Sequence, residues 1–336
     1  MPSLRKPTLH DLARETGASL ATVSRALAQP DLVRPETRAR ILEAAARLGY
    51  VPNRKARALA SGQSQSIGVV VPTLNSPIFS ACLQDMQRVF SAQGYQMLIA
   101  AHEYDAASEL AALSQLLSHG VDGLIVVGAA RPAATWTLIE SAGVPLVQLW
   151  EGACAYDCVG VDNHAAGTVI ARHLLGLGHR HIGVICGHPS NNDRQSARLA
   201  GIRDALDQAG LDLPRSAISK QPLTLAAGRS GCAMLLQLVP RLTAIIGTAD
   251  LLAIGAMIEA QGRGIAVPQD LSIAGIDNVD VAAHLAPSLT TVDIPAEDIG
   301  RQAAERLLSR LAAPGQSPAR QDLPIALVTR HSTGAR

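Results

Sequence analysis

The sequence predicts an α/β protein with a small helical head: an N-terminal three-helix, helix-turn-helix unit, a short hinge segment, and a body of two subdomains built on parallel sheets. Three observations carry this. Thr8 to Leu27 reads as two short helices joined through Gly17; from Ile67 onward apolar strand-like runs alternate with helical ones; and charge is divided unevenly between the two regions. Alternation of buried strands and helices is the pattern of a parallel sheet covered on both faces. The 336 residues suffice for two or three domains with sizeable cores, and 48% hydrophobic content is that of a globular protein.

In the first helical run, Thr8 is placed as an N-cap with Asp11 three residues on. Leu9, Leu12 and Ala13 share a face before Gly17 ends it. Ser19 can cap the second run, whose Val23 and Leu27 face inward. This leaves Leu20, Ala21, Thr22, Ser24 and Arg25 on the outer face. A short helix presenting hydroxyls and an arginine beside a tight turn is the geometry that enters a DNA major groove. A third helix opens at Arg34-Pro-Glu-Thr-Arg, with Leu42, Ala45, Ala46 and Leu48 as its packing positions, and ends at Gly49.

Residues 1–65 hold eleven Lys or Arg against five Asp or Glu, a net of +6; the other 271 residues hold 18 against 23, a net of −5. A basic head on an acidic body implies that the head alone meets phosphate. Asn53 to Gly62 is helix-prone but too short to be stable alone. Gln63-Ser-Gln-Ser makes a polar joint to the body. Strands are expected at 67–71, 96–100, 123–127, 144–149, 181–185, 244–247, 271–276, 288–292 and 325–328, with helices including 165–177, 198–209, 251–263 and 297–311. No apolar run is of bilayer-spanning length and no signal segment precedes Thr8, so no membrane partner and a cytoplasmic location are expected. The irregularly spaced cysteines, Cys154 and Cys158 included, fit reduced structural thiols rather than a metal site.

With these residues in view, the chain resembles the lac repressor and galactose repressor family of bacterial transcription regulators. The carriers are Thr8-Leu-His-Asp-Leu-Ala, Ala21-Thr-Val-Ser-Arg-Ala-Leu, Leu48-Gly-Tyr-Val-Pro-Asn, Gly120-Val-Asp-Gly-Leu-Ile, Leu177-Gly-His-Arg-His-Ile, Arg198-Leu-Ala-Gly-Ile, Val267-Pro-Gln-Asp-Leu-Ser-Ile, Gly275-Ile-Asp-Asn and Leu289-Thr-Thr-Val, in this order along nearly the whole chain. Leu27-Ala-Gln-Pro-Asp-Leu-Val and Gly94-Tyr-Gln-Met-Leu-Ile are similar to the gluconate-repressor branch. The resemblance implies a DNA-binding head over 1–50, a hinge over 51–65, a first effector subdomain over 66–162 with 293–330, and a second over 163–292, joined by three crossovers as in periplasmic sugar-binding proteins. It also implies no cofactor. A homodimer is expected, because the chain stops soon after its last strand without the helix that makes some members tetramers.

By position in the family motif, Leu20, Ala21 and Arg25 face base edges of a pseudo-palindromic, double-stranded operator, with Thr22 and Ser24 nearer phosphate and Thr8 also at the DNA face. Arg25 can offer paired donors to guanine, or make a phosphate contact only. Asn53, Arg54, Lys55, Ala56, Arg57 and Leu59 resemble the hinge helix, in which Leu59 would wedge into the minor groove. The alternative is a linker with Leu59 packed on the body. Carried across in the same way, the effector positions are Phe79, Trp150, Arg194, Arg198, Asp250 and Asp277. An aromatic face suits the C–H surface of a sugar, while carboxylates and arginines suit its hydroxyls. Capping or turn closure is the competing role for Asp250 and Asp277. If Arg194 faces the cleft with Arg198, two cations suit a sugar acid; if it is solvated, a neutral sugar or glycoside fits better. Ala249, where many members have asparagine, removes one hydroxyl contact.

The expected function is repression of carbohydrate uptake or catabolism genes, relieved by a small sugar or sugar-derived effector. A purine or other metabolite as effector, or constitutive repression, is the alternative. A solute-binding protein fits the body but not the basic head. The sequence has no G-x-S-x-G, G-x-G-x-x-G or Walker loop, and His179 and His181 belong to a Leu-Gly-His turn rather than a metal set, so no enzyme is expected.

Overall fold

The computed structural model describes residues 7–28, 32–51, 63–151, 155–188, 192–239 and 241–336. The chain divides into two compact units, Met1–Gln65 and Ser66–Arg336. The hinge positions 53–59 and Cys154 lie outside the described residues.

In the first unit, α1 (Leu9–Thr16), α2 (Leu20–Ala28) and α3 (Pro35–Leu48) enclose Leu12, Val23, Ala26, Ile41, Ala44 and Ala45. Thr8 and Asp11 form the reciprocal capping box: the Asp11 amide donates to Thr8 Oγ1 at 3.3 Å and the Thr8 amide donates to Asp11 Oδ2 at 2.9 Å. Ser19 Oγ accepts from the Thr22 amide at 3.1 Å, holding the first turn of α2. The buried face of α3 differs from the expected one. Ile41, Ala44 and Ala45 are buried, Leu48 is half-buried, and Leu42 and Ala46 face outward. Both stripes have helical spacing, so the contacts with Leu12 and Val23, rather than the local sequence, select between them.

The second unit carries two six-stranded sheets. In the first, the order is β11-β5-β4-β3-β1-β2, with β1 Ser66–Val71, β2 Gln96–Ala101, β3 Gly123–Val127, β4 Leu146–Trp150, β5 Asp157–Gly160 and β11 Arg320–Asp322, all parallel. In the second, the order is β12-β10-β9-β8-β6-β7, with β6 Ile182–Cys186, β7 Ile218–Lys220, β8 Ala244–Gly247, β9 Ser272–Asp277, β10 Thr290–Asp293 and β12 Ala326–Val328. Here β12 alone runs antiparallel, against β10. The helices are α4 (Pro77–Ala92), α5 (Ala106–Ser118), α6 (Ala133–Ala142), α7 (Asn163–Gly176), α8 (Asp193–Gln208), α9 (Leu225–Leu238), α10 (Asp250–Gly262), α11 (Val281–His284) and α12 (Ala296–Ala312).

The chain changes sheets after β5, after β10 and after β11. One expected boundary moves. Residues assigned through 330 to the first subdomain leave it after Asp322, since β12 pairs with β10 and Ser332 Oγ bonds Ile273 and Thr290 of the second sheet. Three strands absent from the sequence reading, β5, β7 and β11, are short; β11 is fully exposed and has no apolar run to announce it.

A continuous core runs from α4 and α12 on the first sheet to α7 and α8 on the second, including Met86, Phe90, Ile125, Ile170 and Ile202. Each large side chain so buried contributes roughly 1.5–3 kcal/mol. Separate clusters lie beneath α5 and α6 and beneath α9 and α10. Among the described residues, no helix is long and apolar enough to cross a membrane.

Candidate functional site

Two surfaces collect the functional side chains, and they are built differently. On the head, α2 buries Val23 and Ala26 and half-buries Leu27, which turns Leu20, Ala21, Ser24 and Arg25 outward; Leu20 is 41% exposed. Thr22 is half-buried and its hydroxyl lies 2.8 Å from that of Ser19. The outer face of α2 thus presents the Arg25 cation, the Ser24 hydroxyl and apolar groups, residue types used for reading base edges. Thr8, also expected at the DNA face, bonds Asp11 through its hydroxyl and fixes the start of α1.

In the body, the site forms where strands end. Sheets of this kind bind ligands at the carboxyl ends of their strands. Trp150 closes β4, Asp277 closes β9, Ala249 follows β8, and Ser76 precedes α4 after β1. Phe79 of α4 meets Trp150 edge-on, ring centroids 5.1 Å apart and planes at 87°. Both are buried, and Trp150 takes the left-handed backbone, φ 63°.

Arg198 is the polar centre. It is 3% exposed. Its Nε donates to Asn163 Oδ1 at 3.0 Å, and its Nη1 donates to the Thr248 carbonyl at 2.7 Å and to Asp277 Oδ1 at 2.9 Å. Its position depends on the close crossing of α7 and α8: a Cβ on Gly167 would lie 2.0 Å from the Arg198 carbonyl oxygen, and one on Gly201 would lie 1.9 Å from that of His164. Glycine at both places lets the backbones touch. Arg194, four residues earlier, is buried too, and its Nη1 pairs with Asp193 Oδ1 at 2.9 Å.

Phe79, Trp150, Arg194, Arg198 and Asp277 therefore converge around an inner chamber of about 30 Å³. Asp250 does not join them. Its Oδ1 accepts from the Thr291 hydroxyl at 2.6 Å and its Oδ2 from the Val279 amide at 2.9 Å, so this fully buried carboxyl ties the end of β9 to β10 instead of facing the cleft. Burial, with the Asp277 charge added, pushes Asp250 up to about 7. Burial also raises Asp277, with the Arg198 guanidinium pulling against it. Arg198, bonded directly to Asp277 and not to Asp250, favours the charged form at Asp277.

The sequence reading missed Tyr104. It lines the inner chamber, a second of about 20 Å³ beside His102, Glu109 and Asp193, and an outer one of about 380 Å³ beside Asn75, His188, Gln221 and Leu223. Glu103 and Tyr104 both have positive φ, 48° and 61°, an uncommon conformation for side chains of this size. Their place just after β2 was the available signal. Gln195 was missed as well; its Oε1 accepts from the Gly187 amide at 2.8 Å and from the Thr248 hydroxyl, closing the back of the chamber. His179, read as structural, is buried with its ring bonded to Thr243 Oγ1 and the Gly334 carbonyl.

Known proteins match both the head and the body of the chain. Residues 8–53 match the family model described as bacterial regulatory proteins, lacI family, and residues 171–333 match that of the periplasmic binding protein-like domain. The HTH-type transcriptional regulator GntR of Escherichia coli K12 is 33% identical over 325 residues, 96% of this chain and 97% of that protein. Among solved structures, the lac repressor dimer bound to operator and the anti-inducer ONPF aligns with a TM-score of 0.86 at 27% identity, over 98% of this chain and all of that one. The transcriptional regulator CelR–cellobiose complex aligns with a TM-score of 0.74 at 28% identity, over 97% of this chain and all of that one.

Proposed function

This chain belongs to the lacI family of bacterial regulatory proteins and is a DNA-binding transcriptional regulator rather than an enzyme, and from that premise we propose that it represses carbohydrate uptake or catabolism genes until a small sugar or sugar-derived effector enters the cleft. The observation that carries the reading is the convergence of Phe79 and Trp150 with Arg198 and Asp277 in one chamber. An aromatic pair offers a face to C–H groups, and a buried arginine–aspartate pair offers donors and acceptors to vicinal hydroxyls. Cellobiose in the CelR complex supports the same ligand class, and the operator-bound dimer of the lac repressor supports dimeric binding to a pseudo-palindrome. The protein works in the cytoplasm on chromosomal DNA.

The DNA contacts are assigned to Leu20, Ala21 and Arg25 for base edges, with Ser24 and Thr22 toward phosphate and the 53–59 segment as the hinge. Two arginines approach the cleft, and their charges bear on the class of effector. Arg194 faces the cleft, but Asp193 already neutralises it, and Asp277 neutralises Arg198. A neutral sugar or glycoside leaves this charge balance as it is, whereas a sugar acid must compete with Asp193 for Arg194.

A thermal-shift titration of the purified protein against neutral sugars, disaccharides, aldonates, purines and amino acids tests this. A ligand bound only by the folded state stabilises it by about 2.7 kcal/mol at a hundred times its Kd. A hit among sugars or aldonates that disappears in Phe79→Ala supports the reading, and a hit among purines alone removes it.

A further inference from the structure

Tyr104 stands where three chambers meet, and the backbone around it is built to put it there. The His102 amide donates to the Val71 carbonyl at 3.2 Å and the Glu103 amide to that of Pro72 at 2.7 Å, which pins the chain after β2 to the end of β1. The Asp105 amide then donates to the His102 carbonyl at 2.9 Å, closing a tight turn whose central residues, Glu103 and Tyr104, both have positive φ. Asp105 next caps α5, accepting from the Ser108 amide at 2.8 Å. Glycine takes such a conformation at less cost, so a tyrosine held in it points to a role for the side chain.

That side chain is half-buried, its ring edge-on to His102 with centroids 6.2 Å apart. Among the described residues its hydroxyl has no hydrogen-bond partner, although the charges of Arg194, Asp277 and Arg198 reach it. A phenol hydroxyl both donates and accepts, and one sheltered among such charges without a partner in the chain suits a polar group on a ligand.

The chambers on either side of Tyr104 are unequal. The inner one, about 30 Å³, carries the arginine–aspartate pair; the outer one, about 380 Å³, shares Tyr104, Asn192 and Leu223 with it. Of the two, the outer chamber falls within the roughly 300–1,000 Å³ of a small-molecule site. Asn75, Gln221 and Thr224 give its wall amides and a hydroxyl, and Tyr104, Pro222 and Leu223 give it apolar surface. Among the described residues none lining it is a lysine or arginine, and Glu103 is its one carboxylate. Such a wall suits the mixed C–H and hydroxyl surface of a neutral group and offers no cation to a phosphate or carboxylate.

We propose that Tyr104 contacts the effector and sets its class as a two-part neutral glycoside. One sugar ring meets Arg198 and Asp277, the second ring or aglycone lies in the outer chamber, and the Tyr104 hydroxyl bonds the bridge between them. This assignment deepens the sugar reading and rests on it: a free monosaccharide uses one chamber of the two.

Thermal-shift titration of the full-length protein with glucose and galactose, set against cellobiose, maltose, lactose and the phenyl glycosides of both sugars, provides the test. In wild type a two-part ligand should bind at least tenfold more tightly than its own free monosaccharide. That preference should fall below about threefold in Tyr104→Ala and in Asn75→Trp, which fills the outer chamber from an exposed wall position. Tyr104→Phe, which keeps the ring and loses the hydroxyl, should retain part of it. The melts report whether each variant is folded, and poor folding of Tyr104→Ala leaves Asn75→Trp informative. Disaccharides and phenyl glycosides tell a second sugar from an apolar aglycone. Equal affinity for one-part and two-part ligands in wild type, or a preference that survives both Tyr104→Ala and Asn75→Trp, overturns the assignment and leaves the sugar reading standing. Purines bound in place of every sugar, or no shift with any sugar, removes both.

Discussion

The exposed face of α2 and the inner chamber of the body solve two recognition problems with opposite economies of solvent. On α2, Leu20, Ala21, Ser24 and Arg25 stand in water and await a partner that is itself a charged surface. In the chamber, Arg194, Arg198 and Asp277 are each at least nine-tenths buried and held by hydrogen bonds within the chain before any ligand arrives. A group kept in water contributes little to folding and can be changed at the expense of binding alone. A buried charge is part of the fold, because stripping its partner leaves the other half unpaired in a dry interior.

Substitutions should separate the two regions accordingly. The largest effect is expected at Arg198→Ala, which leaves Asp277 without its ion-pair partner beside Asp250; urea unfolding of the body, followed by the fluorescence of buried Trp150, should lose about 3–5 kcal/mol. A loss below about 1 kcal/mol would mean that water, not Arg198, balances these carboxyls. Arg25→Ala should do the reverse. Unfolding stays within about 0.5 kcal/mol of wild type, while operator affinity falls by about 1–3 kcal/mol with relaxed choice at one base position. A loss uniform over all sequences would make Arg25 a phosphate contact. At Thr8→Ala the head should lose about 1 kcal/mol with the capping box, read from far-ultraviolet melting, and the body transition should not move.

A further contrast is read through pH. Asp250 binds a proton more tightly in the folded protein than its ordinary value near 4, up to about 7. Its contribution to stability is therefore complete below pH 4 and is lost as pH rises toward 7. Wild type should lose stability relative to Asp250→Asn across that interval, measured as melting midpoints at each pH. Parallel profiles would show that Asp250 is ionised throughout.

Legibility in the sequence followed the same division. The Thr8–Asp11 box, the Ser19 cap and the outer face of α2 depend on neighbours three or four residues away, so local spacing revealed them. The packed face of α3 depends on Leu12 and Val23, and spacing alone chose Leu42 and Ala46 where the fold buries Ile41 and Ala44. In the body, Phe79, Trp150, Arg194, Arg198 and Asp277 were reached through the family resemblance, since they lie far apart in sequence. Asp250 misled because an aspartate in the first turn of a helix beside the cleft is read equally well as ligand or as tie; only its bonds to Thr291 and Val279 decide. Tyr104 escaped because its role depends on elements on the other side of the cleft.

The central claim is that the two surfaces are coupled, and one titration tests it. DNA selected from a random duplex library by the full-length protein should be pseudo-palindromic, and its affinity should fall when the sugar identified by thermal shift is added. The coupling typical of allosteric proteins is about 5–150-fold, and operator DNA should weaken sugar binding by the same factor. A selected duplex whose affinity no cleft ligand alters would contradict the account and leave a head and body that act independently.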